Sequence, residues 1–445
     1  MNERRVVITG LGLATPIGLG AEEVWSGLLD KRNGISRIAA FDPSGFRTQI
    51  AGQIDGMKAA DCVPKTYRKS IKVMARDIEI AVVSAYLAVK DAGLRTKCLI
   101  DRGEAEGPPN IDSTRFGANI GAGVICADLV ELAGALAAAK GDDGNFDIRK
   151  WGEEGMANLT PLWLLKFLPN MLSCHVTIVH DAQAPSNTLT CAEASSHLAI
   201  GEAYRTIARG AADICICGGA ESRLNPMAVV RQDLLGRLSR GRNDTPELAC
   251  RPFDTKRDGT VVSEGGGLLI LEAYEHAKAR NARIYCEVVG FGAGSNTRTW
   301  KEPDENGEGI ALSIRKSLAD AGATADDVDL IGTFGSGVPQ YDISEARGIR
   351  SALGDAAAKI PALSTKATLG NNGAGSGAID IGIAALCVHH NTVPPAQNLD
   401  EMDPECALNV VTGDPVDAKL DTVLSVGYSL NGSQAAALVL KKLEA

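Results

Sequence analysis

The sequence predicts a layered α/β protein built on a mostly parallel core sheet. Three observations carry this. Apolar, strand-like runs recur, most of them ending at or next to a glycine. Helix patterns lie between them. The chain also holds 49 glycines in 445 residues but only 4% aromatic residues. That composition suits many glycine turns and close helix–sheet contacts, and strand–helix alternation is the pattern of a sheet covered by helices.

Taken in order, Val6 to Gly10 opens the chain as a strand, followed by a helix pattern over Ile78 to Ala92 and a strand over Phe116 to Gly121. A helix over Ala194 to Arg209 leads into the strand Ile214 to Gly219, where Cys215 and Cys217, two apart, share a face. Leu268 to Leu271 and Ile284 to Gly290 are the next strands. The helix Gly309 to Ala321, the strand Leu330 to Thr333, the helix Ile379 to His389 and the strand Val423 to Gly427 complete the series. Ile284 to Gly294 echoes Val6 to Gly12, and Val423 to Asn431 echoes Ile214 to Glu221, so the chain reads as an approximate duplication. Its seam is expected near 250–275, giving halves 1–255 and 256–445. Two segments fit the repeat poorly. Residues 101–115 are polar and proline-rich, the mark of a surface loop. Residues 140–170 look like a capping insertion with Trp151, Trp163, Leu164, Leu165, Phe167 and Leu168 as its apolar content.

Composition bounds the function. The formal charge of −10 argues against nucleic acid as the main partner. No run approaches 18 apolar residues, so no membrane span is expected. The N-terminus carries no signal-peptide pattern. Eleven cysteines without a CxxC framework read as reduced and mostly buried, pointing to a cytoplasmic protein. No histidine has metal-ligand spacing with a cysteine or carboxylate, and no cofactor is expected.

Several motifs then fall in order: Pro185 to Glu193 leading into Ile200-Gly201-Glu202-Ala203; Gly218-Gly219-Ala220-Glu221; Arg251-Pro252-Phe253-Asp254 with Arg257-Asp258-Gly259; Ser263 to Gly267; Ser364-Thr365-Lys366; and Val393-Pro394-Pro395. With these the chain resembles the condensing enzymes of fatty acid and polyketide synthesis, the β-ketoacyl-[acyl carrier protein] synthase II-type ketosynthases of the thiolase superfamily. The resemblance covers nearly the whole chain. It implies a thiolase fold, two similar αβαβα halves in a five-layered architecture, and a dimer with active sites near the dimer interface.

The chemistry of that family needs three side chains. A cysteine at a buried helix N-terminus takes the acyl chain, activated by the helix dipole and beside an oxyanion hole. Two histidines promote decarboxylation, and a lysine near the second orders the site. Here the resemblance places other residues at those positions. Eight residues on from Pro185 stands Glu193, and counting back from Ile200-Gly201-Glu202-Ala203 reaches Glu193 again. Cys191 falls two residues early and is the alternative nucleophile. Thr333-Phe334-Gly335-Ser336, with Pro339, Asp342 and Glu345 at the family spacing, puts Phe334 in place of the first histidine. Lys366 matches the family lysine, and Gly370-Asn371 puts Asn371 in place of the second histidine. The gate motif is altered to Gly427-Tyr428-Ser429-Leu430-Asn431-Gly432, with Tyr428 and Leu430 as acyl-pocket residues. His175, His180, His197, His276 and the His389-His390 pair do not restore the triad; His197 reads as a core or interface residue.

Phenylalanine donates no hydrogen bond to an enolate, and asparagine cannot cycle a proton near neutral pH. A glutamate is a poor acyl nucleophile, yet an anion at a helix N-terminus is stabilised by about 0.3–1 kcal/mol. Glu193 can therefore plug the nucleophile's pocket. The pattern is most similar to chain length factors, the β-subunits of type II polyketide ketosynthases, which typically carry glutamine where Glu193 stands. The implied role is a catalytically degenerate subunit that pairs with an active ketosynthase and an acyl carrier protein. Two alternatives stay open: an acyltransferase or condensing enzyme of altered mechanism using Cys191 or Glu193, and a homodimeric scaffold that holds an acyl chain or carrier. Arg205 and Arg209, on one helix face, are candidate carrier-docking residues.

Overall fold

The computed structural model describes residues 4–297, 299, 302–432 and 434–443. The main ladder uses β1 (Val6–Thr15), β2 (Phe116–Ala122), β3 (Ser186–Leu189), β4 (Ile214–Ser222), β5 (Glu264–Ala273) and β6 (Cys286–Ser295). It continues with β7 (Leu330–Gly332), β8 (Pro361–Leu363), β9 (Asn409–Val410), β10 (Thr422–Tyr428) and β11 (Gln434–Lys441). In space they run β9-β8-β7-β10-β11-β6-β1-β5-β4-β2-β3. Read outward from the β1–β6 pair, the two arms match: β1-β5-β4-β2-β3 on one side, β6-β11-β10-β7-β8 on the other. The duplication read from the sequence is thus a repeat of strand order, with β1 answering β6 and β4 answering β10.

Four helices complete the two halves: α1 (Arg76–Asp91), α2 (Ser195–Ala208), α3 (Glu308–Ala321) and α4 (Ser376–His390). The outer helix α1 packs on β1 and β5, and α3 on β6 and β11. The central pair α2 and α4 lies between the two arms and touches both. This is the five-layered, two-half fold that the resemblance implies. Its glycines show why the halves repeat. A Cβ on Gly12 of β1 would collide with the Ser84 carbonyl of α1, and one on Gly292 of β6 with the Ser313 carbonyl of α3. In both halves strand and helix backbones touch, which only glycine allows.

The sheet is not mostly parallel. β2 runs parallel to β3 and β4, and β7 parallel to β8 and β10. The strands at the middle, β1, β5, β6 and β11, are antiparallel to their neighbours. The reason lies in the connections. Parallel neighbours need a crossover helix, whereas β10 and β11 are joined by a short turn that only an antiparallel pair accommodates. The strand β5 sits between β1 and β4. A division at 255/256 would cut it from both partners, so we propose that the first half extends through Ala273. Of the two segments outside the repeat, 101–115 is largely exposed. The 140–170 segment packs its short turns on the helix Leu129–Ala138 and turns Leu162 and Leu164 outward, 66% and 61% exposed.

The helix α4 is buried from Ser376 to Val388 and apolar there apart from Ser376 and the Lys366-paired Asp380, as a helix enclosed on all sides must be. Each fully buried isoleucine there contributes about 1.5–3 kcal/mol. Ile381→Ala is expected to cost about 2–5 kcal/mol through the cavity it leaves. Urea unfolding followed by far-UV circular dichroism checks this; a loss below about 1 kcal/mol would contradict the central placement of α4.

Candidate functional site

The site forms where the two central helices begin. After β3 the chain turns through Thr190, Cys191 and Ala192. Ala192 adopts φ 50°, a left-handed backbone that costs a non-glycine residue energy. A single turn, Ala192–Ala194, then opens α2 and carries Glu193 inward until it is 1% exposed. One carboxylate oxygen accepts from Arg223 Nη1 at 2.7 Å and from Asn371 Nδ2 at 3.4 Å. The other accepts from the Leu430 backbone N–H at 2.9 Å. Burial opposes ionisation of Glu193. The Arg223 charge, the Leu430 N–H and the residue's own N–H outweigh it, and the carboxyl lies below its ordinary 4.5.

Arg223 is itself buried and shared. Its Nε donates to Glu221 Oε1 at 2.9 Å. The other Glu221 oxygen accepts from the Ala374 N–H at 2.6 Å, in the turn that opens α4. Each central helix thus meets a carboxylate at its positive end, Glu193 for α2 and Glu221 for α4, and one guanidinium bridges the two. Glu221 is held so tightly that a Cβ on Gly123 or Gly373 would strike its carboxylate.

A second cluster adjoins through the gate segment. Phe334 is fully buried, edge-on to Tyr428 at 5.1 Å. Lys366 Nζ lies 5.0 Å from the Phe334 ring centre and is fixed by both Asp380 oxygens at 2.7 Å. Tyr341 stacks on Tyr428 and bonds the Leu430 carbonyl. The loop bearing Phe334 is held by two carboxylates. Glu345 accepts the Phe334 and Gly335 N–H groups at 2.7 and 2.9 Å, and Asp342 accepts those of Ser336 and Gly337 at 2.8 and 3.1 Å. Burial, with Asp342 beside it, pushes the Glu345 carboxyl up to about 8. Asp342 and Glu345 therefore shape the loop through its backbone.

Glu193 and Asn371 are in direct contact, Leu430 joins them, and Phe334 and Lys366 pack together behind Tyr428. Cys191 stands apart: half-buried, its thiol is pushed up by burial, and among the described residues no cation or histidine offsets this to favour the thiolate. His197 is buried, its Nε2 3.0 Å from Ser425 Oγ, and burial lowers it to about 3. His175 and His180 bond Tyr67 and Thr96, His276 bonds Glu272, His389 meets Tyr285 edge-on, and His390 stacks on Trp25. Among the described residues no group of three His, Cys, Asp or Glu side chains could hold a metal ion. Arg205 is half-buried and paired with Asp320 at 2.6 Å, while Arg209 is exposed. Arg223 and the work of Glu221 escape a sequence reading. Arg223 lies just past an apolar strand end, and a cation two residues after Glu221 was the available signal.

Because Glu193 ionises below its ordinary value, its contribution to stability is fully present above pH 4.5 and is lost as the pH falls through its folded value. Glu193→Gln should cost about 1–3 kcal/mol near neutrality, and the gap to the unsubstituted chain should close below pH 4.5. Arg223→Met, which leaves two facing buried carboxylates, should cost more, about 3–5 kcal/mol. Thermal unfolding across pH 3.5–8 tests both; equal midpoints for all three proteins at pH 7 would refute the shared charge.

The sequence matches "Beta-ketoacyl synthase, N-terminal domain" over residues 3–277 and "Beta-ketoacyl synthase, C-terminal domain" over 285–400. It is 34% identical over 443 residues, with both chains fully covered, to 3-oxoacyl-[acyl-carrier-protein] synthase 2 of Coxiella burnetii. Two solved structures are similar at 28% identity, each aligned over 99% of this chain and 100% of its own. One is the ishigamide ketosynthase/chain length factor, with a TM-score of 0.83. The other, with a TM-score of 0.82, comes from a type II polyketide acyl-carrier protein in complex with its ketosynthase bound to the hexaketide. No helix among the described residues is long and apolar enough to cross a membrane. The chain belongs to the β-ketoacyl synthase family of fatty acid and polyketide synthesis, with the thiolase fold of its ketosynthases.

Proposed function

We propose that this chain is a catalytically degenerate ketosynthase-like subunit of the chain-length-factor type. It acts beside an active ketosynthase and an acyl carrier protein. Glu193, Phe334 and Asn371 take the places of the nucleophile and the two histidines, and Lys366 is retained. The observation that carries this reading is the Glu193 carboxylate, which already holds the Leu430 N–H and Arg223. A backbone N–H aimed at a buried anion is what a condensing site offers to a developing oxyanion; here the chain's own side chain accepts it. Phe334 and Asn371 then supply no acid or base.

A partner surface supports the same reading. Val130 is 85% exposed and Ile148 70%, and Val124, Leu162 and Leu164 add to the apolar area, a pattern that marks protein contact. For the carrier, Arg205 is committed to Asp320. Both Arg205 and Arg209 lie toward the C-terminal end of α2, which at about 1.5 Å per residue leads away from Glu193. Lys65, Arg68, Lys69 and Lys72 suit docking better. All four are exposed on the turn Lys65–Val73, and none pairs with a carboxylate among the described residues. They stand out on a chain of charge −10 and fit an acidic carrier.

Intact mass after incubation with an acyl carrier protein loaded with a short acyl chain should show no transfer to this chain. Stable acylation at Cys191 or Glu193 would defeat the degenerate reading in favour of an altered acyltransferase. Co-expression with a Cys-His-His ketosynthase should give a mixed dimer; exclusive self-association would favour the homodimeric scaffold. Reversing Lys65, Arg68 and Lys69 to Glu should weaken carrier binding about tenfold or more at low salt, read by fluorescence anisotropy.

A further inference from the structure

A cavity of about 230 Å³ lies between the start of α1, the segment after β2, the turn Trp163–Phe167 and the chain just past β4. Glu193, Phe334, Lys366 and Asn371 take no part in its wall. Of the four charged side chains that line it, Arg76, Asp77, Asp128 and Lys166, only the two cations are matched. Arg76 is held by both Glu264 oxygens, at 2.9 and 3.0 Å, and by Glu79 at 3.5 Å. Lys166 pairs with Glu131. Among the described residues no cation lies within ion-pair distance of Asp77 or Asp128. Asp77 is only 4% exposed. One of its oxygens accepts the Ser222 N–H at 3.1 Å, and its own N–H is its other donor. Asp128 stands exposed at the mouth. One of its oxygens accepts the Val130 N–H at 2.7 Å and caps the helix Leu129–Ala138.

A buried carboxylate that meets only N–H groups is costly, because neutral donors do not replace the hydration of a full charge. Burial, with Glu221 nearby, pushes the Asp77 carboxyl up to about 7. Glu193 is as deeply buried but is paired with Arg223, and it lies below its ordinary value. The contrast isolates what Asp77 lacks, which is a cation. The wall selects which kind. A metal ion needs more than two carboxylates, and among the described residues no group of three His, Cys, Asp or Glu side chains could hold one. A guanidinium is best met by both oxygens of one carboxylate, and here each carboxylate has an oxygen committed to a backbone N–H. An ammonium is compact, with three donors, and can take the remaining oxygen of each. Ile125, Phe167 and Leu224 complete the wall and suit an aliphatic stem.

We propose that this cavity binds a primary ammonium on a short aliphatic stem, with Asp77 as its buried partner and Asp128 as its partner at the mouth. The site goes beyond the functional reading above and does not rest on it.

The test is calorimetric titration of the full chain at pH 8, where Asp77 is ionised, with pentylamine, 1-pentanol, pentanoate and Nα-acetyl-lysine methylamide. Pentylamine should bind at least about tenfold more tightly than pentanol. Asp77→Asn keeps an acceptor for the Ser222 N–H and removes a buried charge, and Asp128→Asn caps a helix as well as aspartate does, so both variants should fold. The first should abolish the preference, and the second should reduce it about twofold to fivefold. Pentylamine and the lysine amide present the same group, and the tighter of the two separates a free amine from a lysine side chain of a bound protein as its source. Equal binding of pentylamine and pentanol, no binding of either amine, pentanoate binding as tightly as pentylamine, or an Asp77→Asn variant that keeps the full preference would each overturn the proposal. None of these outcomes bears on acyl transfer, by which the non-catalytic reading is judged.

Discussion

Two buried helices that begin at the same place in the middle of a protein bring their positive ends together, and something must hold them there. In this chain the helices are α2 and α4, and the holding groups are Glu193, Glu221 and Arg223. The arrangement is a balance in which no member is optional. Each carboxylate gains from a helix N-terminus. Neither would be tolerated so close to the other without the guanidinium between them, and the guanidinium would be as costly without them. The gate segment depends on the same charge, because Leu430 is tethered to Glu193 and its carbonyl is tethered to Tyr341. The residues at the Glu193, Asn371 and gate positions are thus parts of one network, with Phe334 packed behind Tyr428.

How much of this was legible in the sequence depended on the scale of the signal. Strand and helix positions were readable because each repeats over many residues: β1, β2, β4 and β10 lie where apolar runs ending at glycine put them. Strand direction was not readable from the runs themselves, because an apolar run looks the same in either sense; Asn431-Gly432 between β10 and β11, a hairpin dipeptide, was an available marker of an antiparallel pair. The positions of Glu193 and Asn371 followed from the resemblance to the family's motifs and their spacing, and the structure brings these two into contact. Arg223 was missed because its meaning is wholly tertiary. A single arginine after a strand reads as an ordinary surface cation until the fold buries it between two glutamates. Arg205 shows the reverse: on a helix face it looked available, and Asp320, 115 residues away, takes it.

The motif residues that match the family also change meaning in three dimensions. Asp342 and Glu345 sit at the family spacing, yet here they hold the loop of Phe334 by its N–H groups and need no histidine to do so. Lys366 remains bound to Asp380 beneath an aromatic ring. Such positions preserve backbone shape independently of the side chain displayed on it, which is how a scaffold can keep its fold while the residues facing the site are exchanged.

The left-handed turn at Ala192 and the charge beside it bear on which sequence changes are open to this chain. Exchanging Glu193 for cysteine would leave Arg223 facing one carboxylate instead of two and release the Leu430 N–H, while Phe334 and Asn371 would still supply no proton. That exchange is therefore opposed by the stability of the charge network and not by any lack of space, and on its own it restores no chemistry.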